Sequence, residues 1–363
     1  MIRVLLIAGA RPNFMKIAPL YREAARRPRV ECKLVHTGQH YDYQMSQTFF
    51  EELGTPRPHY FLAAGSGSHA VQTAKIMIGF EEVCEKEKPD LTMVVGDVNS
   101  TLACTIVAKK LQIEVAHVEA GLRSLDLSMP EEINRMVTDS ITDHFFVTEP
   151  SGVSNLLREG KPKERIHFVG QVMIDNLFHQ LKAIENGFDP GPALSRLKNE
   201  SRDYAFLTLH RPSNVDRKEK LIEIFDALNA IGEKRRIFFP VHPRTRGQLD
   251  QFRISVSPNI VQLPPLGFKE ALYLWKDASI VMTDSGGLQE ETTGLGVPCI
   301  TLRENTERPV TIDMGTNILG GTTRARILEA YRLSTLKPKV RSCPPKWDGR
   351  ASERIWQILL ARS

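Results

Sequence analysis

Val4-Leu5-Leu6-Ile7-Ala8-Gly9-Ala10-Arg11-Pro12-Asn13-Phe14-Met15-Lys16 is an apolar run that breaks at a glycine and passes into a helical pattern. A short apolar run closed by glycine and followed by a helix reads as a buried parallel strand with its βα turn. The same grammar returns late in the chain. Ser279–Met282 is apolar and leads into Thr283-Asp284-Ser285-Gly286-Gly287-Leu288-Gln289-Glu290-Glu291, again ahead of a helix. In open α/β sheets, ligands bind at the carboxyl ends of strands, and the free N–H groups of a helix start suit phosphate. Two such turns predict two similar domains closing on one phosphate-bearing ligand.

Outward from the first turn, apolar runs alternate with helical patterns. The predicted strands are Val4–Ala8, Cys32–Thr37, Leu91–Val95, Val115–Val118 and His144–Thr148, with Ile166–Val169 closing at Gly170. Predicted helices lie near Ile17–Arg27, Tyr43–Leu53, Ala70–Lys88, Thr101–Leu111, Glu131–Thr142 and Asp175–Ile184. Pro19 then falls in the first turn of its helix, where no N–H is lost. After the Pro/Gly-rich stretch 185–192 the alternation restarts with strands at Tyr204–Leu209, Arg236–Val241, Asn259–Leu263, Ser279–Thr283, Pro298–Leu302 and Thr316–Leu319. Ser352–Leu360 is a last amphipathic helix. The pattern implies βαβ units and parallel sheets, in domains at 1–170 and 171–345 with a terminal helix in 346–363.

At 363 residues, 41% hydrophobic and 25% charged, the chain suits two globular cores. A net charge of +5, dispersed, gives no nucleic-acid footprint. No apolar run is long enough for a bilayer, and no leader-like segment precedes the first strand, so no membrane partner and a cytoplasmic protein are expected. The five cysteines form no CxxC pair. No GxGxxG follows the first strand, and GxxxxGK[ST], HExxH and metal-ligand spacings are absent, so neither a nicotinamide cofactor nor a metal is expected.

Acids collect at strand tips. Gly96-Asp97-Val98-Asn99-Ser100-Thr101 places Asp97 after one strand, where the plain alternative is that Asp97 or Asn99 caps the next helix. His117-Val118-Glu119 places Glu119 at the neighbouring tip, with a structural pair to Arg123 or Arg135 as its alternative. Glu131 opens the helix after Pro130, and an i,i+4 pair with Arg135 would account for it. Convergence of all three carboxylates on one site is the functional reading. In the second half, His210-Arg211 and His242 stand at strand tips, and Ser285 is placed to cap the helix whose Gly286-Gly287 lets backbone approach an anion.

Taken jointly these phrases resemble the non-hydrolysing UDP-N-acetylglucosamine 2-epimerases. The resemblance rests on Gly9-Ala10-Arg11-Pro12 with Lys16, Thr37-Gly38-Gln39-His40, Gly96-Asp97, His117 to Arg123 and Pro130-Glu131-Glu132 with Asn134-Arg135. It continues through His210-Arg211, Asp284-Ser285-Gly286-Gly287 with Gln289-Glu290-Glu291, and Thr306-Glu307-Arg308-Pro309. It implies an α/β, GT-B-like fold: two Rossmann-like, doubly wound parallel-sheet domains with the active site in the cleft between them, and a terminal helix returning to the first. It also implies a homodimer without cofactor, acting on a UDP-sugar and supplying N-acetylmannosamine-type precursors for surface polysaccharide. By position, Asp97, Glu119 and Glu131 match the catalytic carboxylates, with His210 at the leaving diphosphate. Arg11, Ser285, Glu291 and Arg308 match UDP contacts, with Lys16, Arg135, Arg211, Gly286 and Gly287 as further substrate-binding residues.

Two stretches depart from the family. Pro212-Ser213-Asn214 stands where many bacterial members have Arg-Glu-Asn, and 39–44 and 64–68 lack the usual partners for a second, activating nucleotide sugar. Rival readings are a 2-epimerase of UDP-2,3-diacetamido-glucuronate, a GT-B glycosyltransferase (which needs an acceptor base not visible here) and a non-catalytic sugar-nucleotide sensor.

Overall fold

A computed structural model of the chain describes residues 1–9, 11–38, 47–336 and 343–361. It divides into two compact units, 1–176 with 345–363, and 177–344.

In unit 1 the order is β1 (Ile2–Ala8), α1 (Arg11–Ala24), β2 (Val30–His36), α2 (Gln47–Leu53), β3 (Tyr60–Phe61), α3 (His69–Glu87), β4 (Leu91–Val95) and α4 (Asn99–Lys110). Then follow β5 (Glu114–Val118), α5 (Pro130–Ile141), β6 (His144–Val147), α6 (Pro150–Arg158), β7 (Ile166–Phe168) and α7 (Val172–Glu185), within which the chain passes into unit 2. The seven strands are parallel, in the order β3-β2-β1-β4-β5-β6-β7. β1 is buried on both faces, which is why it reads as a continuous apolar run. Val4, Leu6 and Ala8 join one core with Phe14, Ile17 and Leu20 of α1, while Leu5 and Ile7 join another with Ile76 and Phe80 of α3 and Val107 of α4.

Unit 2 runs α8 (Gly191–Asn199), β8 (Tyr204–Thr208), α9 (Pro212–Val215), α10 (Lys218–Gly232), β9 (Arg236–Pro240), α11 (Pro243–Phe252), β10 (Ile260–Leu263) and α12 (Phe268–Trp275). It ends with β11 (Ile280–Thr283), α13 (Gly286–Leu295), β12 (Cys299–Thr301), α14 (Val310–Asp313), β13 (Asn317–Leu319) and α15 (Arg324–Leu336). Its parallel sheet is ordered β10-β9-β8-β11-β12-β13. The chain ends in α16 (Ala351–Leu360), part of unit 1. Trp356 of α16 is fully buried and donates from Nε1 to the Leu20 carbonyl at 2.9 Å. The Asp175 carboxylate accepts from the Ala351 and Ser352 N–H groups at 3.0 and 2.7 Å, satisfying donors that a helix start leaves open.

The parallel α/β class is the one the pattern predicted; several local readings need correction. α1 begins at Arg11, so Pro19 is interior and offers no N–H to the carbonyl four residues back. β3, α6 and α8 were not predicted: β3 has two residues, too few for a period, and α8 opens inside the Pro/Gly stretch at Gly191. Of the helix predicted over 43–53, 43–46 lie outside the described residues. Among the described residues no helix is long and apolar enough to cross a membrane, and no cluster of three His, Cys, Asp or Glu side chains is placed to hold a metal ion.

Candidate active site

In both sheets the strand order reverses once, between β1 and β4 and between β8 and β11. Loops leaving adjacent strands in opposite directions open a crevice there. The four main motifs sit at these two reversals: Gly9–Lys16 after β1, Gly96–Thr101 after β4, His210-Arg211 after β8, and Asp284–Gly287 after β11.

In unit 1 the two loops are packed against each other. A Cβ on Gly9 would lie 2.6 Å from Ser100 Oγ, so only glycine lets the first turn approach the second. Asn13 Nδ2 donates to the Val95 carbonyl at 3.3 Å. Gly96 has φ +74°, and a Cβ there would meet Lys16 Nζ at 3.3 Å. Arg11 opens α1, but its side chain lies outside the described residues.

Glu119 does not pair with Arg123 or Arg135, the partners its structural reading named. Its Oε2 lies 2.6 Å from Lys16 Nζ, across 103 residues, and its Oε1 is buried without a hydrogen-bond partner. Its backbone is strained as well. Glu119 has φ +73°, a conformation costing a non-glycine residue on the order of 1–3 kcal/mol. The Glu119 and Ala120 N–H groups both donate to the Phe146 carbonyl, at 3.0 and 3.2 Å. Two residues thus oppose one at the end of β5, a bulge-like arrangement that re-aims a side chain. Strict alternation from His117 therefore ends at this residue.

Asp97 is not a helix cap; nor is Asn99. The N-cap of α4 is Val98, which has no capping side chain. Asp97 Oδ2 instead accepts from Arg135 Nε at 3.0 Å and Nη2 at 2.6 Å, and Asn134 Nδ2 donates to the Asp97 carbonyl at 2.8 Å. Arg135 is thus committed to Asp97 and, through Nη1 at 2.8 Å, to Glu132; it forms no pair with Glu131. Burial alone pushes the Glu132 carboxyl up, but the Ser124 and Leu125 N–H groups and Arg135 outweigh it and hold it below its usual value. Glu132 is therefore a tether for the 119–129 loop. Glu131, one residue earlier, is exposed, and its carboxylate has no ion pair among the described residues.

In unit 2, Asp284 is fully buried between the tips of β8 and β11. Its carboxylate accepts from the His210 N–H at 3.0 Å and the Arg211 N–H at 2.8 Å, and Oδ1 lies 3.1 Å from His210 Nδ1. The imidazole is thereby oriented with Nε2 directed away from the carboxylate. Ser285 occupies the N-cap of α13, but its side chain makes no capping bond, contrary to the predicted role. The space over Gly286 is open: the nearest atom to a Cβ there is Arg211 Nη2, at 3.9 Å. Glu290 pairs with Arg308 Nε at 3.0 Å. Glu291 is buried too, and burial, with Glu290 beside it, pushes its carboxyl up to about 8. Gln289 Oε1 accepts from Thr306 and Asn317, and Thr306 Oγ1 from the Arg308 N–H, fixing the Arg308 loop to α13.

Asp284, Glu132 and the Gln289 hub had no place among the predicted site residues. Asp284 was legible as the residue directly after an apolar strand. Glu132 was not separable from Glu131, because its role depends on a loop fold.

A family model described as UDP-N-acetylglucosamine 2-epimerase matches residues 22–360. The UDP-N-acetylglucosamine 2-epimerase of Methanocaldococcus jannaschii is 42% identical over 360 residues, covering 98% of each chain. The UDP-2,3-diacetamido-2,3-dideoxy-D-glucuronate 2-epimerase of Pseudomonas aeruginosa is 37% identical, covering 98% of this chain and 99% of that one. The crystal structure of the M. jannaschii UDP-GlcNAc 2-epimerase in complex with UDP-GlcNAc and UDP aligns with a TM-score of 0.85 and 41% identity, over 99% of this chain and 100% of that one. Similarity of this extent reaches every strand tip described above, and with it the chain belongs to the UDP-N-acetylglucosamine 2-epimerase family, on a GT-B-like fold of two Rossmann-like domains.

Proposed function

We propose that the chain interconverts UDP-N-acetylglucosamine and UDP-N-acetylmannosamine without releasing free sugar. The observation that carries this reading is Glu119: a strained strand-tip carboxylate with one oxygen on Lys16 and the other buried and unpartnered. An orphaned buried acceptor is costly, and such sites cluster where a ligand completes them.

Inverting C2 requires breaking a C–H bond with no adjacent carbonyl to acidify it. Departure of UDP from C1, taking the C1–O electron pair, makes the ring oxocarbenium-like and acidifies the C2 proton. A carboxylate removes that proton, and its C–H pair becomes the C1–C2 double bond of 2-acetamidoglucal. A proton delivered to the opposite face of C2, with return of the UDP oxygen to C1, completes the inversion. Two faces require at least two proton carriers, which Asp97, Glu119 and Glu131 supply. The nucleotide end is assigned to His210, Arg211, Ser285, Gly286, Gly287 and Arg308, with Arg11. An oriented imidazole and a helix N-terminus suit a departing diphosphate. Glu291, as a buried neutral acid, suits ribose hydroxyls. Lys16 and Arg135 are assigned to the carboxylates they hold.

A homodimer is part of the proposal. Val71 and Ile78 of α3 and Ile133, Met136 and Val137 of α5 expose apolar side chains that a second copy would cover. Cytoplasmic placement is supported by five free cysteines.

The test is proton NMR of UDP-N-acetylglucosamine with the protein in heavy water. UDP-N-acetylmannosamine carrying deuterium at C2 is the expected product. Free N-acetylmannosamine, or an unchanged sugar alongside turnover of the diacetamido-glucuronate, would overturn the assignment; the P. aeruginosa relative makes the latter the specific rival.

A further inference from the structure

His117 and Asp139 are both completely enclosed beneath the unit 1 site. Asp139, on the inner face of α5, accepts from His117 Nδ1 at 2.7 Å, from the Gly121 N–H at 3.0 Å and from Arg123 Nη1 at 2.8 Å. Burial alone pushes the Asp139 carboxyl up, yet His117 and Arg123 beside it prevail and hold it below its usual value. The other ring nitrogen of His117, Nε2, donates to the Gly96 carbonyl at 2.8 Å.

That last bond reaches the residue before Asp97. The Gly96 N–H in turn donates to the Val118 carbonyl, the residue before Glu119, at 3.0 Å. Glu119 has φ +73°, a conformation a non-glycine residue does not hold unaided, whereas Gly96 takes φ +74° without steric cost and lets the turn place its carbonyl toward His117. His117 is a side chain of β5 that grips the β4 turn directly. From α5, Arg135 reaches the Asp97 carboxylate and Asn134 Nδ2 the Asp97 carbonyl, whereas the grip of His117 falls on the preceding residue, Gly96.

We infer that His117 is a positioning residue for the epimerisation: its Nε2 bond to the Gly96 carbonyl sets Asp97 against Glu119, and Asp139 aims the ring. This rests on the reading that Asp97 and Glu119 act on the sugar. A merely structural role predicts instead that activity falls only as stability falls.

Two substitutions separate the arms of the imidazole. His117→Gln places an amide nitrogen near the Nε2 position and keeps donation to Gly96. His117→Asn places it near Nδ1, keeping Asp139 and releasing Gly96. kcat and KM for UDP-N-acetylglucosamine, the Kd of UDP and the melting temperature are measured on the full chain. His117→Asn is expected to lose roughly a hundredfold in kcat, the cost of an ångström-scale misplacement, with KM and UDP Kd within severalfold; His117→Gln stays within about tenfold of wild type. Equal losses, or the reverse ranking, overturn the inference. Should His117→Asn not fold, Asp139→Asn takes its place. It withdraws the carboxylate that aims the ring, so a kcat loss of at least about tenfold with the UDP Kd within severalfold is expected, and a wild-type kcat overturns the inference. Wild-type protein inert toward UDP-N-acetylglucosamine overturns the functional reading and this inference with it. An active wild type with the wrong ranking overturns this inference alone.

Discussion

Lys16 Nζ and Glu119 Oε2 lie 2.6 Å apart, joining the turn after β1 to the tip of β5 through a pair in which the lysine side chain is 15% exposed and the glutamate 3%. The pair fixes one oxygen of a carboxylate whose other oxygen has no partner. Removing one member of a buried pair is far more damaging than removing both, because the survivor is stranded without its counter-charge.

Lys16→Met is therefore expected to destabilise the protein by up to about 3 kcal/mol, the low end for a broken buried pair given the exposure of Lys16. Adding Glu119→Gln to it should restore much of the melting temperature and none of the turnover. Denaturation of the two single variants and the double variant reads this out; additive losses would contradict it.

The carboxylates should matter far more to turnover than to nucleotide affinity. Asp97→Asn, Glu119→Gln and Glu131→Gln should each lower kcat at least about a hundredfold, the lower range for losing acid–base catalysis. UDP affinity by calorimetry should stay within severalfold. A variant losing both in parallel marks a structural or nucleotide-binding residue.

Glu291 should give stability a pH dependence of definite sign. Its folded-state pKa is raised to about 8 from 4.5, so between those values the folded state keeps a proton that the unfolded chain releases. Stability then falls as pH rises through that window, with a limiting slope of about 1.4 kcal/mol per pH unit. Glu291→Gln should gain on wild type in melting temperature between pH 5 and pH 8. A constant difference across that range would show that Glu291 is ionised in the fold.

His210→Ala and Arg211→Ala should weaken UDP binding and slow C1–O cleavage, since both remove donors at the leaving group. Accumulation of 2-acetamidoglucal by His210→Ala at a normal elimination rate would refute the placement of the imidazole.

Regulation should be simple. An effector shifts an equilibrium only by binding one state more tightly. Of the segments with atypical sequence, 39–44 lies outside the described residues, and in 64–68 the Gly65 carbonyl is taken by Gln72 Nε2 at 2.8 Å. Hyperbolic kinetics with UDP-N-acetylglucosamine are expected, and reverse turnover of UDP-N-acetylmannosamine should start without a lag. A strict requirement for added UDP-N-acetylglucosamine in the reverse assay would reveal a surviving second site.

What the sequence by itself determined is the alternation and its consequences. Runs such as Leu91–Val95 and Ile280–Thr283 are apolar on both faces because parallel strands are covered on both sides, and that alone places Asp97, Glu119, His210 and Ser285 at strand tips. Partnership is another matter. Local rules paired Glu131 with Arg135 and assigned caps to Asp97, Asn99 and Ser285, because i,i+4 contacts and helix starts are all that neighbouring residues can show. The fold instead pairs Arg135 with Asp97, Lys16 with Glu119 and His210 with Asp284, across 38, 103 and 74 residues. Those distances close only when right-handed crossovers bring separate strand tips side by side. The burial that follows makes breaking such a long-range pair costlier than breaking an exposed local one, and it was the tertiary structure that decided which acids are held, Asp97 by Arg135 and Glu119 by Lys16, and that Glu131 is left in water.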